Sequence, residues 1–482
     1  MQFSVILPVL GILLMLFSFS SLPPLAVALI YGEQEVSLFL YSFFLTFLIG
    51  ALLWFPFRRI KADLRNRDGF IITVLFWVVL GGMGALPLAL MPEPDLSLTD
   101  AIFESMSGLT TTGATILTGI DELPKSILFY RQQLQWLGGM GIIVLAVAIM
   151  PMLGIGGMQL YRTETPGPIK DQKLTPRIKE TAKALWMLYL GLTAVCTLGY
   201  WGAGMSLFDA ISHSFSTIAI GGFSTHDASM GYFDSPLINA MATFFMLVAG
   251  INFALHFFAW RYKSVEHYWQ DPEVKAYLFI LIAVSFITVF GLYFSGTYDL
   301  DESMSYGVFE VVSVATTTGY ASSGFSAWPT FLPMLLFMTS FAGGCAGSTA
   351  GGMKVIRVLL IFKQGMRELR RLVHPNAIFS IKLGGKAVNN RVGEAVWGFF
   401  ATYVFLFAVM FLALMATGLN LETAFSTVAS CLNNLGPALG EAAENYESLP
   451  DAAKWILCFA MLLGRLEIFT LLVLFTPTFW RY

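Results

Sequence analysis

SGLTTTG, from Ser107 to Gly113, is followed along the chain by STIAIGG (Ser216–Gly222), SVATTTG (Ser313–Gly319) and SCLNNLG (Ser430–Gly436). Each copy is a serine, five residues and a glycine, placed after an acidic loop and before an apolar run. Four copies spaced by about 100 residues point to a pore lined four times over, because internal repeats of membrane proteins place their sites where the repeats meet.

Composition sets the environment. Of 482 residues 56% are hydrophobic, 15% aromatic and only 12% charged, which is far from the balance of a water-soluble domain. Runs long enough to cross a hydrocarbon core lie at about 4–31, 36–57, 70–91, 132–158, 184–204, 237–260, 276–295, 330–362, 393–418 and 453–478, which predicts ten crossings. The first run lacks a basic segment before it and continues through Pro23 and Pro24, so it reads as a retained helix rather than a cleaved signal. Basic loops at Arg58–Arg67, Arg162–Lys183, Arg261–Lys275 and Lys363–Arg391 alternate with loops carrying Asp121, Glu122, Asp227, Asp234, Asp299, Asp301, Glu441 and Glu444. The basic loops are therefore expected on the cytoplasmic side, with both termini cytoplasmic and the glycine motifs opening toward the acidic outer side.

Each motif ends a short amphipathic segment: TDAIFESMSGLTTTG, FDAISHSFSTIAIGG, YGVFEVVSVATTTG and TAFSTVASCLNNLG. At about ten to twelve residues such a segment is too short to span. It fits a re-entrant half-helix, which a membrane tolerates where protein or a water-filled cavity surrounds the backbone; the alternative is four interfacial helices lying flat. Thr110–Thr112, Ala219–Gly221 and Thr316–Thr318, which lead into the glycine, are β-branched or small and are expected to run extended; the candidate filter positions are Thr111, Thr112 and Gly113, Ile220, Gly221 and Gly222, Thr317, Thr318 and Gly319, and Asn434, Leu435 and Gly436. Glycine permits the positive φ that turns a carbonyl inward, and rings of carbonyls replace a cation's hydration shell. The helix dipoles and acidic loops favour a cation as well.

The run beginning near Pro329 contains SFAGGCAGSTAGGMK (Ser340–Lys354), with Gly343, Gly344, Gly347, Gly351 and Gly352. Glycine costs about 1 kcal/mol relative to alanine inside a helix. A flexible intramembrane loop is expected there, with the Ser348 and Thr349 hydroxyls available to freed backbone groups; close helix packing is the alternative, and suffices for Gly138, Gly139 and Gly141. Arg465, inside WILCFAMLLGRLEIFTLLVLF, places a cation in a spanning run at a cost of about 2.5–3.5 kcal/mol. It requires a partner; a salt bridge to Glu467 or snorkelling is the simple reading, although residues two apart on a helix face apart.

The remaining polar residues read as support. Glu104, His213, Glu310 and Thr427 share one position on the four half-helices, Asn252 and His256 read as helix packing, and Lys354 and Arg357 as interface anchors. Cys196, Cys345, Cys431 and Cys458 lack metal-ligand spacing. Nothing resembles a nucleophile elbow or phosphate loop, so a membrane enzyme is disfavoured.

On these motifs the whole chain resembles the Trk/Ktr/HKT superfamily of potassium transporters, whose members carry four repeats related to the helix, pore helix, helix unit of potassium channels. The resemblance implies an all-α polytopic membrane protein with four such repeats around one central pore and two additional amino-terminal helices, as in the longer bacterial members. The units are then residues 1–68 (the helix pair), 69–180, 181–270, 271–390 (with an intramembrane gating loop) and 391–482. It implies a K+ filter built from the carbonyls of the twelve motif residues above, with Gly113, Gly222, Gly319 and Gly436 as the filter glycines. It further implies a gate formed by the Gly343–Gly352 loop held by Arg465. One shared glycine per repeat, against TVGYG in channels, implies a shorter filter. Glycine rather than serine in the first loop favours potassium over sodium. K+ is expected as the transported ion, with no cofactor in the chain. A homodimer in the bacterial inner membrane, a TrkA-like cytosolic nucleotide-binding ring and membrane lipid are the expected partners, and nucleic acid is not. An obligate H+- or Na+-coupled symporter is the alternative mechanism.

Overall fold

The computed structural model describes residues 3–58, 66–144, 178–329 and 331–481. Among them the only strands are Lys382–Leu383 and Lys386–Ala387, a small antiparallel hairpin; the rest is helix and loop. Among the described residues six unbroken helices are long and apolar enough to cross a membrane, and two bent pairs bring the number to eight. The inner part of the span expected over 132–158, and most of the basic loop after it, lie outside the described residues.

Lipid-facing surface explains why so much apolar side chain is exposed. On Pro272–Phe294, Phe279, Ile282 and Phe286 form an exposed stripe, whereas Tyr277, Leu281 and Val284 are buried. That is the three-and-four spacing of a helix with one face on protein and one on lipid.

Three expected spans are broken. Pro236–Ala249 and Phe253–Tyr262 meet at 94°, because the first ends at Gly250 and Asn252 starts the second, its side chain accepting from the Ala254 N–H at 2.8 Å. Leu332–Ala342 stops at Gly343, whose φ is +64°, and helix resumes only at Val355–Val373. Asp451–Arg465 and Phe469–Phe475 are bent by 108° at Glu467 and Ile468, both with positive φ (51° and 57°). Arg465 is therefore the last residue of its helix, not the middle of a span.

The four short segments are helices dipping into this framework: Leu98–Leu109, Leu207–Ala219, Leu300–Ala315 and Leu421–Asn433. The third, at 16 residues, is longer than expected. Each begins at a side-chain cap, with Ser97, Ser206, Asp299 and Asn420 accepting from the N–H three residues on, which satisfies one orphan donor of the first turn. Each packs between the two helices that flank it in sequence and against a third from another repeat. Leu98–Leu109 rests on Asp451–Arg465, Leu207–Ala219 on Lys125–Val144, Leu300–Ala315 on Pro236–Ala249, and Leu421–Asn433 on Leu332–Ala342. The order is cyclic, so the four units close around one axis.

Candidate ion filter and intramembrane loop

The serine-to-glycine spacing has a backbone cause. The N–H groups of Thr112, Gly221, Thr318 and Leu435 return to the carbonyls of Ser107, Ser216, Ser313 and Ser430 at 2.8–2.9 Å. This reversal requires a left-handed residue: Thr111, Ile220, Thr317 and Asn434 have φ of 51°, 54°, 64° and 54°. The glycines follow with φ of 83°, 82°, 79° and 101°. The expected extended stretch is thus a tight turn with two left-handed residues per repeat. Three of the first set are β-branched, where such backbone costs of order 1–3 kcal/mol.

The four turns touch in a ring. A Cβ on Gly113 would collide with the Gly221 carbonyl oxygen, one on Gly222 with that of Thr318, one on Gly319 with that of Leu435, and one on Gly436 with that of Thr112 at 2.7 Å. Eight of the twelve expected filter positions make these contacts, and the other four, Thr111, Ile220, Thr317 and Asn434, are the left-handed residues just before them. The sides are braced differently. Thr110 and Thr112 pair hydroxyls at 2.8 Å, as do Thr316 and Thr318. Asn434 donates to Thr112 Oγ1 and to the Met461 carbonyl, each at 3.0 Å. Tyr446 donates to the Gly436 carbonyl at 2.7 Å, and Gln135 holds the second repeat.

The aligned position on the short helices fastens the chain leaving each turn. Glu104 accepts from Thr115, the Ile116 N–H and Arg131. His213 Nε2 lies 3.0 Å from Ser224 Oγ, and Glu310 accepts from Ser322 and the Ser323 N–H. Thr427 bonds only within its own helix, to the Thr423 carbonyl. On the acidic side His226 bridges repeats: Nδ1 contacts Asp121, Nε2 lies 3.5 Å from Asp209, and the ring stacks on Tyr232. Burial opposes its charge, but the two carboxylates prevail and hold the imidazole above its ordinary pKa.

At the other end of the turns, Gly343–Lys354 crosses the axis. The Gly352 N–H donates to the Asn433 carbonyl at 3.0 Å and the Gly351 N–H to Thr317 Oγ1 at 2.7 Å. Thr349 Oγ1 donates to the Ile218 carbonyl at 3.0 Å. The Cys345 N–H donates to Gly250 O, and Gly347 O accepts from Phe253 N–H, so the bend in the second repeat is occupied by the loop. Asn252 is therefore more than a packing residue. Ser348 closes the loop on itself through Cys345 O and Ala350 N–H. A Cβ at Gly351 would strike Asn433 O, one at Gly343 would strike Gly351 O, and one at Gly344 would fall 2.6 Å from the Ala350 Cβ.

Arg465 supplies the first repeat. Its Nε donates to Thr110 O at 2.7 Å, its Nη2 to Thr110 O and Thr111 Oγ1, and its Nη1 to Thr349 O at 3.3 Å. The guanidinium thus joins the base of one turn to the loop, with more of its donors on the turn. Glu467 is not its partner; that carboxylate takes Arg357 at 2.7 Å. Lys354 and Arg357 are buried and line a cleft below the loop together with Arg465, Glu467 and Tyr403, which corrects their reading as interface anchors. Glu273, buried at the start of its helix, accepts from the N–H groups of Ala346 and Ile356 and so holds both ends of the loop. Neither it nor Gln135 has a motif to announce it. The four cysteines are free and buried.

Comparison with known proteins agrees with this architecture. Residues 36–482 match the family model TrkH, described as a cation transport protein. Over full length the chain is 56% identical to the Trk system potassium uptake protein TrkH of Halomonas elongata, and 56% identical to that of Escherichia coli K12, covering all of each. It is 44% identical to TrkG of Escherichia coli K12 over 98% of its length and 97% of that protein's. The crystal structure of the potassium transporter TrkH from Vibrio parahaemolyticus superposes with a TM-score of 0.93 at 55% identity, each chain covered completely. A multi-pass, predominantly helical chain whose four glycine turns close one ring thus finds its relatives along its entire length, and it belongs to the TrkH family of cation transport proteins.

Proposed function

We propose that the chain takes up potassium through a channel-like pore, with the carbonyls around Gly113, Gly222, Gly319 and Gly436 as the selectivity filter and the Gly343–Gly352 loop with Arg465 as its gate. The observation that carries this reading is the closed ring, in which each glycine admits the carbonyl of another repeat at a distance that no side chain allows. Such a ring presents oxygens and no titratable group to the axis, which suits a dehydrated monovalent cation. The loop touches the second, third and fourth repeats directly and the first through Arg465, a placement that blocks the path until it moves. The membrane potential then drives entry, at about 2.3 kcal/mol per charge per 100 mV. The Trk system names of the relatives support potassium as cargo and are consistent with a regulatory partner, for which we propose a TrkA-like cytosolic nucleotide-binding ring acting on a homodimer. The basic loops support a bacterial inner-membrane protein with both termini in the cytoplasm.

Purified protein in liposomes tests the mechanism. Potassium entry driven by a valinomycin-free electrical potential, with equal pH on both sides and no sodium, is expected. Entry only in the presence of a proton or sodium gradient would replace the channel-like reading with obligate symport.

A further inference from the structure

Three of the four turns carry their own polar side chains. The first and third pair threonine hydroxyls, and the fourth uses Asn434. The second, Ala219-Ile220-Gly221-Gly222, has none. A single buried carboxamide from outside the repeat takes that place. Gln135 Nε2 donates to the Gly221 carbonyl at 2.6 Å, and its Oε1 accepts from the Phe223 N–H at 3.1 Å, so the amide spans the filter glycine Gly222 from behind. Gly138 and Gly139 make this reach feasible: a Cβ at the first would strike Leu109 O, and one at the second would lie 2.9 Å from Ala219. Their helix therefore lies directly on the ends of two short helices, and Gln135 stands one turn away. The arrangement is exclusive, since a Cβ on Gly221 would fall 2.4 Å from the Gln135 carboxamide.

We infer that Gln135 is a selectivity-determining positioning residue, a surrogate side chain that fixes the Gly221–Gly222 peptide of the second repeat so that its carbonyl stays in register with the other three. The inference rests on the filter reading. It assigns ion discrimination to a residue that does not itself meet the ion. A glycine pair without this amide has the widest backbone freedom of any in the ring. An oxygen free to swing adapts to the smaller sodium ion as well as to potassium, and discrimination falls.

The test is the K+/Na+ permeability ratio of reconstituted protein, from reversal potentials under bi-ionic conditions, with Gly222→Ser as a filter control. Gln135→Met keeps the volume and removes both bonds. Gln135→Glu keeps the acceptor for Phe223 but sets a carboxylate against the Gly221 oxygen. Each is expected to lower the ratio by about tenfold, the worth of one good buried hydrogen bond. The double variant Gln135→Ala with Gly221→Thr returns a β-branched hydroxyl residue to the place held by Thr112 and Thr318, and is expected to recover most of the loss relative to Gln135→Ala alone. A packing role predicts no such recovery. If Gln135→Met is not monodisperse, Gln135→Glu decides. Ratios within twofold of the parent in folded Gln135 variants, while Gly222→Ser shifts the ratio, would overturn this inference and leave the filter standing; no shift in any of them would overturn both. Failure of the double variant to exceed Gln135→Ala would also reject the surrogate role.

Discussion

Removing the Arg465 side chain perturbs two structures at once, and their unequal attachment sets the expected result. The guanidinium gives the loop one bond, to Thr349 O at 3.3 Å, and gives the first turn several, to Thr110 O and Thr111 Oγ1. Hydrogen bonds to a charged group contribute about 1.5–3 kcal/mol, and the long loop contact belongs at the lower end, so its loss favours the displaced loop by roughly tenfold. On the proposed gate reading, removal of a cation from the path adds to the gain. Arg465→Ala is therefore expected to raise potassium flux by about one order of magnitude. It should also lower K+/Na+ discrimination, because the Thr110–Thr111 base of the first turn loses its anchor. Arg465→Lys, which keeps charge but cannot bridge both partners, should fall between. A deletion within Gly344–Ala350 should raise flux as well, and the combination should yield less than the product of the two factors, since contacting groups are not additive. Rubidium uptake into liposomes, normalised to inserted protein, measures all four. Monodisperse Arg465→Ala protein with flux at or below the parent would refute the reasoning.

Serine at Gly113, Gly222 or Gly319 should depress the K+/Na+ permeability ratio strongly, and serine at Gly436 least, because its Cβ has the most room at 2.7 Å from the nearest carbonyl; bi-ionic reversal potentials rank the four. Glu273→Ala strands two buried N–H groups at the ends of the loop, at about 1–3 kcal/mol each, so flux should rise and the melting temperature fall, with Glu273→Gln milder on both. For His226 the folded pKa is raised, so its contribution is complete below the ordinary imidazole value of roughly 6.5 and is lost as pH rises through the higher folded value. The melting temperature of the parent should therefore drop as pH rises through that interval, and that of His226→Gln should not.

Much of this architecture can be read from residue order, for reasons tied to particular positions. Ser107 and Gly113 are diagnostic because a helix end and a reversed turn need a fixed number of residues between them, and four copies declare the ring. The glycines of Ser340–Lys354 declare a break because helix cannot tolerate their density. Tertiary contacts are another matter. Gly250 and the Asn252 cap permit the bend at Gly250–Asn252, but its backbone groups are taken by Cys345 and Gly347 of the third repeat, which nothing local to Ile251 announces. Lys354 and Arg357 read as boundary charges because their apolar flanks look like a membrane edge, and Glu467 as a partner for Arg465; only the second bend, at Glu467 and Ile468, brings all of them to a common cleft. Gln135 is equally silent, since its meaning lies in what the second turn lacks.

On the proposed gate reading, the loop beneath the turns also sets how the closed pore rests. Its bonds to Gly250, Phe253, Thr317, Asn433 and Ile218 reach separate repeats, so no stretch of it can leave alone without straining the remainder. At about 1 kcal/mol net for each bond, breaking these five alone costs roughly 5 kcal/mol, which on that reading would leave an undisturbed molecule open no more than about once in several thousand observations. Such a latch leaks little and answers poorly to small pushes. It calls for a lever outside the barrel, applied where Val355–Val373 continues the loop and delivering several kilocalories in one stroke.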